Sequence, residues 1–330
     1  QNCLRGSSPG REGRGEEKER GNRMEKKSRL KAYREHWPLY LMMLPGLLYL
    51  LINNYIPMAG IVIAFKKLNF AEGIFASPWA GFDNFKFLFA TKDAWIITRN
   101  TLLYNVAFIL VNMVVGIAIA ILICEIRSTK LKKLYQSAIL LPFLMSMVIL
   151  SYIVYALLSS ENGLINNSLL SALHLEPVQW YQEPKYWPFI LIFANCWKGV
   201  GYGCLIYIAS LVGIDPSFYE AARLDGASKW QEIRNITLPC LVPTIITLLL
   251  LSIGRIFYSD FGLFYQVPMN SGVLFPTTNV IDTYVYRALI ERGNISMSSA
   301  AGVYQSVVGF VIVMLSNWVV RKVDKDQALF

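Results

Sequence analysis

The stretch E-A-A-R-L-D-G-A-S-K-W-Q-E-I-R-N-I-T-L-P, Glu220 to Pro239, is polar and charged, yet it lies between two long apolar runs, 188–214 and 239–259. A loop between two membrane spans is ordinarily short and featureless, whereas this one carries the pattern of two short helices joined at a glycine. Ser217 is placed to cap the first, with Glu220 three residues behind it in capping-box spacing. Phe218, Ala221, Ala222 and Leu224 then recur at helical spacing. Gly226 suits a left-handed stop, and a second helical stretch runs on to Pro239.

Outside this loop the apolar residues gather in runs of about 20, the length that crosses roughly 30 Å of hydrocarbon. With 55% hydrophobic residues among 330, the chain reads as a polytopic membrane protein and not as one or two soluble domains. The net charge of +9 is concentrated at one end. Arg5, Arg11, Arg14, Lys18, Arg20, Arg23, Lys26, Lys27, Arg29, Lys31 and Arg34 all precede the first span, as the positive-inside rule expects of a cytoplasmic terminus. That accounts for the charge without a nucleic-acid partner, and contact with anionic membrane lipid is compatible with it. Residues 1–23 lack apolar periodicity and read as disordered. Met24 offers a natural start, so 1–23 are expected to be an upstream extension. Cys3, Cys124, Cys196, Cys204 and Cys240 show no metal-ligand spacing, and no disulfide framework or lipoprotein anchor is expected.

Six spans follow from the apolar runs, at about Pro38–Phe65, Thr101–Cys124, Ser137–Leu158, Pro188–Ile214, Pro239–Tyr258 and Ser299–Val320. Pro45, Asn53, Asn54 and Pro57 predict a kink or tilt in the first. Residues 82–89, F-D-N-F-K-F-L-F, suit a short interfacial helix, and Trp180, Tyr181, Tyr186 and Trp187 are candidate interface anchors. Arg127, Lys130, Lys132 and Lys133 after the second span, and Arg321, Lys322 and Lys325 after the sixth, place both termini and the 220–239 loop on the inner side. The domain reading is a basic N-terminal segment 1–37, a six-span domain 38–320 with the loop at 215–239, and a tail 321–330.

Glu220, Ala221, Ala222, Asp225, Gly226, Ala227, Ile233, Ile236, Leu238 and Pro239 stand in the order and spacing of the EAA loop, and the stretch resembles that loop in binding-protein-dependent ABC importer permeases. Ile233 stands where many members carry Phe. The resemblance extends over 24–330. The pieces Y-I-P-M-A-G-I-V-I-A-F-K at 55–66, S-P-W-A-G-F-D-N-F at 77–85, W-K-G-V-G-Y at 197–202 and S-D-F-G-L-F-Y-Q-V-P at 259–268 look like the complex-carbohydrate branch, with permeases similar to those for alginate and, more distantly, maltose. It implies an all-α, six-span type I importer fold in a bacterial plasma membrane. The implied partners are a sister permease, two ATPase subunits and an extracytoplasmic solute-binding protein that delivers a sugar. An amino acid or peptide cargo is the alternative within the same machine. An ion-coupled carrier is the alternative outside it, and leaves the 220–239 loop unexplained.

No phosphate-cradling G-x-x-x-x-G-K-[ST] stretch occurs, and His36 and His174 are the only histidines. No catalytic centre, metal or cofactor is expected on this chain; ATP and Mg belong to the partner ATPase. The resemblance implies that the helix around Glu220 docks in a cleft of that ATPase. Phe218, Ala221, Ala222 and Leu224 then supply shape, Gly226 the bend, and Glu220 a charge for a basic residue of the partner, with Asp225 and Ala227 belonging to the same coupling stretch. A buried interfacial charge of that kind is worth about 2–5 kcal/mol, against less than about 1 kcal/mol if Glu220 only favours its own helix N-terminus. In the apolar segments, Asn195, Trp197, Lys198, Tyr202, Arg255, Tyr258 and Asp260 are candidates for a sugar path, since charges there face a cavity or a partner. The competing reading has Arg255 and Asp260 neutralising one another and Lys198 snorkelling to an interface. Asn105 and Asn112 read as interhelical hydrogen bonds.

Overall fold

The computed structural model describes residues 36–69 and 71–323, so the expected extension 1–23, most of the basic N-terminal segment and the end of the tail lie outside the described residues. Among the described residues the structure is helical, and the only strand-like pairing is an antiparallel bridge between Lys66 and Trp79. Among the described residues, those up to Gly60 form one compact unit and those from Ile61 onward another.

The first unit is built on α1, Trp37–Leu50. Pro45 lies inside it, and the helix continues through a wide turn, Leu51–Tyr55, in which the Ile56 N–H donates to Leu51 O. The wide turn has a local cause. Pro57 has no N–H to give to the carbonyl four residues back, and the helix widens just before it. The whole apolar helical run is Trp37–Phe65.

In the second unit, 61–90 form a pinned piece. The buried Lys66 extends its ammonium to the Ile74 and Phe75 carbonyls at 3.1 and 2.6 Å, and Asn84 Nδ2 donates to Ala64 O and Lys66 O. Helix α2, Asp83–Ala90, covers the stretch expected to be an interfacial helix. The spans follow as α3 (Asp93–Glu125), α4 (Thr129–Leu144), α5 (Met147–Leu158) and α6 (Trp187–Val212). Next come α7 (Pro216–Leu224), α8 (Lys229–Ile253), and the short helices α9 (Phe261–Gln266) and α10 (Ile281–Tyr286). The last is α11 (Ile295–Val323). Among the described residues, five helices are long and apolar enough to cross a membrane, and the α4–α5 pair makes a sixth crossing if it is one bent span.

Three spans differ from the sequence expectation. Helix α3 starts eight residues early, at Asp93, because the polar turns before Thr101 still bury Ala94, Ile97 and Asn100. The third span is broken, with its halves bent by 95° at Met145–Ser146. Ser146 is the reason a new helix starts there, since its side chain accepts from the Ile149 N–H at 3.2 Å as an N-cap. The fifth does not begin at Pro239. It is continuous with the second helix of the loop, and a wide turn at Ile233–Thr237 absorbs the N–H that Pro239 lacks.

The core of the second unit is organised by α6 against α3. Trp187, Leu191 and Ala194 pack with Tyr104, Phe108, Leu150, Leu263 and Phe264. Trp187 is fully buried and donates its indole N–H to Trp180 O at 2.7 Å, so it is a core residue and not an interface anchor. Large apolar side chains elsewhere stay exposed, among them Met42, Leu103, Val114, Leu122, Leu251 and Phe310. That is the surface expected of helices whose solvent is lipid.

Candidate functional site

The loop between α6 and α8 folds as two short helices meeting at a glycine. The first is capped by Asp215 and not by Ser217. The Asp215 carboxylate accepts from the Ser217 N–H at 2.9 Å, a bond that holds its carboxyl below the usual carboxylate range, and Pro216 occupies the first helical position. Pro216 starts the helix one residue before Ser217 and takes the capping role from it. At the other end, Gly226 adopts φ +79°. The Gly226 N–H donates to Arg223 O and the Ala227 N–H to Ala222 O, the paired bonds of a Schellman stop. Ser228 then caps the next turn, in a capping box completed by Gln231.

A buried carboxylate ties the two helices together. Glu232 is 3% exposed and takes Arg223 of α7 at 2.9 Å and Lys229 of its own helix at 3.0 Å. Lys229 also reaches Glu125 at the end of α3, at 3.1 Å, and Tyr219 OH shares a hydrogen bond with Thr237 Oγ1. Glu232, Arg223 and Lys229 were not among the expected site residues; the spacing of Lys229 and Glu232, three apart on one helical face, was the available signal. With α7 held from below, its other side is open. Phe218 is 57% and Leu224 89% exposed, Glu220, Ala221 and Asp225 are exposed, and Ala222 and Ala227 are half-buried. Glu220 forms no ion pair among the described residues. Glu232→Ala is therefore expected to leave the chain inserted but to let α7 pivot, broadening the distance between nitroxide labels placed on α7 and α8, and an unchanged distance distribution would show that Glu232 does not hold α7.

The expected sugar-path residues fall into separate environments. Asn195 accepts from Asn112 Nδ2 at 2.8 Å, joining α3 to α6 as expected for Asn112. Asn105 instead donates to Thr101 O within its own helix. Tyr202 stacks on Phe143, with ring centroids 5.2 Å apart, and is half exposed; Trp197 is 37% exposed. Lys198 forms no ion pair among the described residues. Its ammonium donates to Phe143 O and Met145 O at the break between α4 and α5. Asp260 caps α9 through the Leu263 N–H, and no ion pair with Arg255 occurs among the described residues, so the expected mutual neutralisation is absent. Arg255 and Tyr258 are exposed.

A cleft of about 320 Å³ opens between α3, α6 and α8. Phe108, Asn112, Tyr202, Tyr207, Leu248 and Ser252 line part of it. Of the expected path residues, Tyr202 alone lies on it. Asn112 Oδ1 is buried there and accepts no hydrogen bond among the described residues. Aromatic faces beside amide and hydroxyl groups can take a sugar ring and its hydroxyls.

Long apolar helices, a bent α4–α5 pair and a two-helix loop whose first helix leaves Phe218, Glu220 and Leu224 exposed fit a multi-pass membrane subunit. The chain belongs to the family described as binding-protein-dependent transport system inner membrane component, whose pattern matches residues 112–325. It is 34% identical over 293 residues to protein LplB of Bacillus subtilis, covering 89% of this chain and 91% of that one. It is also 34% identical to the polygalacturonan/rhamnogalacturonan transport system permease protein YteP of the same organism, over 87% and 89% of the two chains. Among solved structures it is similar to a chain of a bacterial ABC transporter involved in the import of the acidic polysaccharide alginate, with a TM-score of 0.81 and 34% identity over 89% of this chain and 98% of that one. The same likeness holds, at a TM-score of 0.80, for that transporter in complex with an alginate pentasaccharide-bound periplasmic protein. The fold is thus that of a type I ABC importer permease, and an ion-coupled carrier is set aside.

Proposed function

We propose that the chain is the membrane permease subunit of an ATP-driven importer for an oligosaccharide, delivered by an extracytoplasmic binding protein and moved with a sister permease and two separate ATPase subunits. The observation that carries the coupling role is the exposed face of α7, where Phe218, Leu224 and an unpaired Glu220 stand on a helix braced from behind by Glu232. An apolar pair around one acidic group suits a cleft with a basic residue in it. The carbohydrate cargo rests on the relatives, one a polygalacturonan/rhamnogalacturonan transport permease and another a chain of an alginate importer. Both termini and α7 lie on the cytoplasmic side in this reading, following the basic clusters. ATP, with its Mg, binds on the ATPase pair and closes it, the two-helix loops follow, and the path turns outward to receive the sugar. Hydrolysis then returns it inward.

The test is ATP hydrolysis by the complex in proteoliposomes, with the binding protein empty or loaded with candidate oligosaccharides, uronate and neutral. Loaded binding protein is expected to stimulate hydrolysis, and Glu220→Ala to lower the stimulated rate at least roughly tenfold while membrane insertion is kept. Full stimulation in the variant would show that Glu220 makes no contact that couples. Stimulation only by amino-acid- or peptide-loaded binding protein would overturn the carbohydrate reading.

A further inference from the structure

The carbonyls at the break between α4 and α5 have an ionic partner inside the membrane segment. A helix end leaves its last carbonyls without an intrahelical donor, and hydrocarbon offers no water in its place. Here Phe143 O and Met145 O both accept from Lys198 Nζ, at 3.0 and 2.6 Å, and the ammonium also lies 5.7 Å from the centroid of the Phe143 ring. That ring stacks on Tyr202, one turn past Lys198 on α6, with the planes 16° apart. Each arm of the break has its own seat. Helix α4 backs onto α6 at Gly201, where an added Cβ would stand 2.2 Å from Ile139 O. Helix α5 starts against α9 at Gly262, where an added Cβ would stand 2.8 Å from Met147 Cγ. Next to the break the two arms have close backbone seats on different helices, and the freed carbonyls of the junction are taken by one side chain, Lys198.

We propose that Lys198 is a positioning residue for transport, a latch that fixes the angle of the α4–α5 break and with it the Phe143–Tyr202 ring pair, and that it is not a contact for a sugar carboxylate. An ammonium has three donors, and two are spent on the backbone. The Lys198 stem projects from α6, so the latch joins the break to the helix that leads directly into Pro216 and α7. Its role in transport rests on the permease reading, but its effect on the bend does not.

Two measurements separate the possibilities. In the full chain, nitroxide labels at Lys133→Cys and Ser160→Cys, in a background with the native cysteines replaced, report the distance between the far ends of the arms. Lys198→Met is expected to broaden and lengthen that distance, by up to roughly 10 Å if the arms straighten at 1.5 Å per residue. Lys198→Arg, which can donate to both carbonyls, is expected to restore it. In the reconstituted complex Lys198→Met is expected to lower the maximal uptake rate roughly tenfold for uronate and neutral oligosaccharides alike, with KM unchanged within about twofold, and Lys198→Arg to recover most of the rate. An unchanged interspin distance in Lys198→Met overturns the latch. A defect confined to KM for the acidic sugar also overturns it, and assigns Lys198 to substrate. If the distance responds as stated but the wild-type complex moves no solute, the latch stands and the permease reading is what has failed.

Discussion

Gly201→Val is expected to prevent α4 from seating on α6, with loss of a monodisperse folded species in detergent. Even the first carbon of a side chain at 201 would lie 2.2 Å from Ile139 O and 2.8 Å from its carbonyl carbon. Those are backbone atoms, so no rotamer change relieves the clash, and the helices must part by about an ångström or more. Overpacking costs about 1–3 kcal/mol where side chains can give way; against a rigid backbone the cost falls at or above the top of that range, a large share of a total stability of about 5–15 kcal/mol. Gly203 supplies the control, because a Cβ there meets nothing within 4 Å. Gly203→Ala is expected to melt at or slightly above the wild-type temperature, since alanine is the better helix former by about 1 kcal/mol. If Gly201→Ala melts like Gly203→Ala, the close approach of α4 to α6 is wrong.

Gly226→Val is expected to act differently, with insertion kept and a modest fall in melting temperature, but a large loss of coupling. Nothing lies within 4 Å of a Cβ at 226, so space is not the constraint. The constraint is φ +79°, which an L-residue adopts at a cost of about 1–2 kcal/mol, more for a β-branched one. Leaving that region breaks the bond from the Ala227 N–H to Ala222 O and re-aims α7 relative to α8. Stimulated ATP hydrolysis is expected to fall in the order Gly, Asn, Ala, Val, since Asn tolerates the left-handed region best among the three replacements, with roughly a tenfold loss for Val at 1.4 kcal/mol per decade. A valine variant that couples normally would show that the turn can be remade without consequence.

These two glycines also show how far the sequence could be read. Gly226 was legible because its requirement is local: a helical pattern stops, a glycine follows, and the left-handed stop is implied. Spans were legible for the same reason, since hydrocarbon thickness fixes their length. Gly201 was not, because its requirement belongs to Ile139 on another helix, 62 positions away. Lys198 and Glu232 share that limit. A charge in an apolar run is visible, but whether it meets a carboxylate, a sugar or a pair of freed carbonyls is decided by which helix lies alongside. The break at Met145–Ser146 had a local mark in L-P-F-L-M-S, proline followed by a capping serine, yet the apolar run continues through it and hides the stop. Ser217 was misassigned for a smaller reason, since Asp215 followed by proline is an equally good start and lies two residues earlier.

The continuity of α8 has a mechanical meaning. From Lys229 to Ile253 the helix runs 25 residues without a break, which at 1.5 Å per residue is a lever of roughly 37 Å. A tilt of about 5° imposed where Glu232 grips Arg223 sweeps the far end through about 3 Å at that length, comparable to the width of a water molecule. Helix α4 ends at a corner after 16 residues, so a push along it is turned aside at Met145 and not carried on. Of the two routes from the loop-bearing side, one delivers displacement across the bundle and the other deflects it.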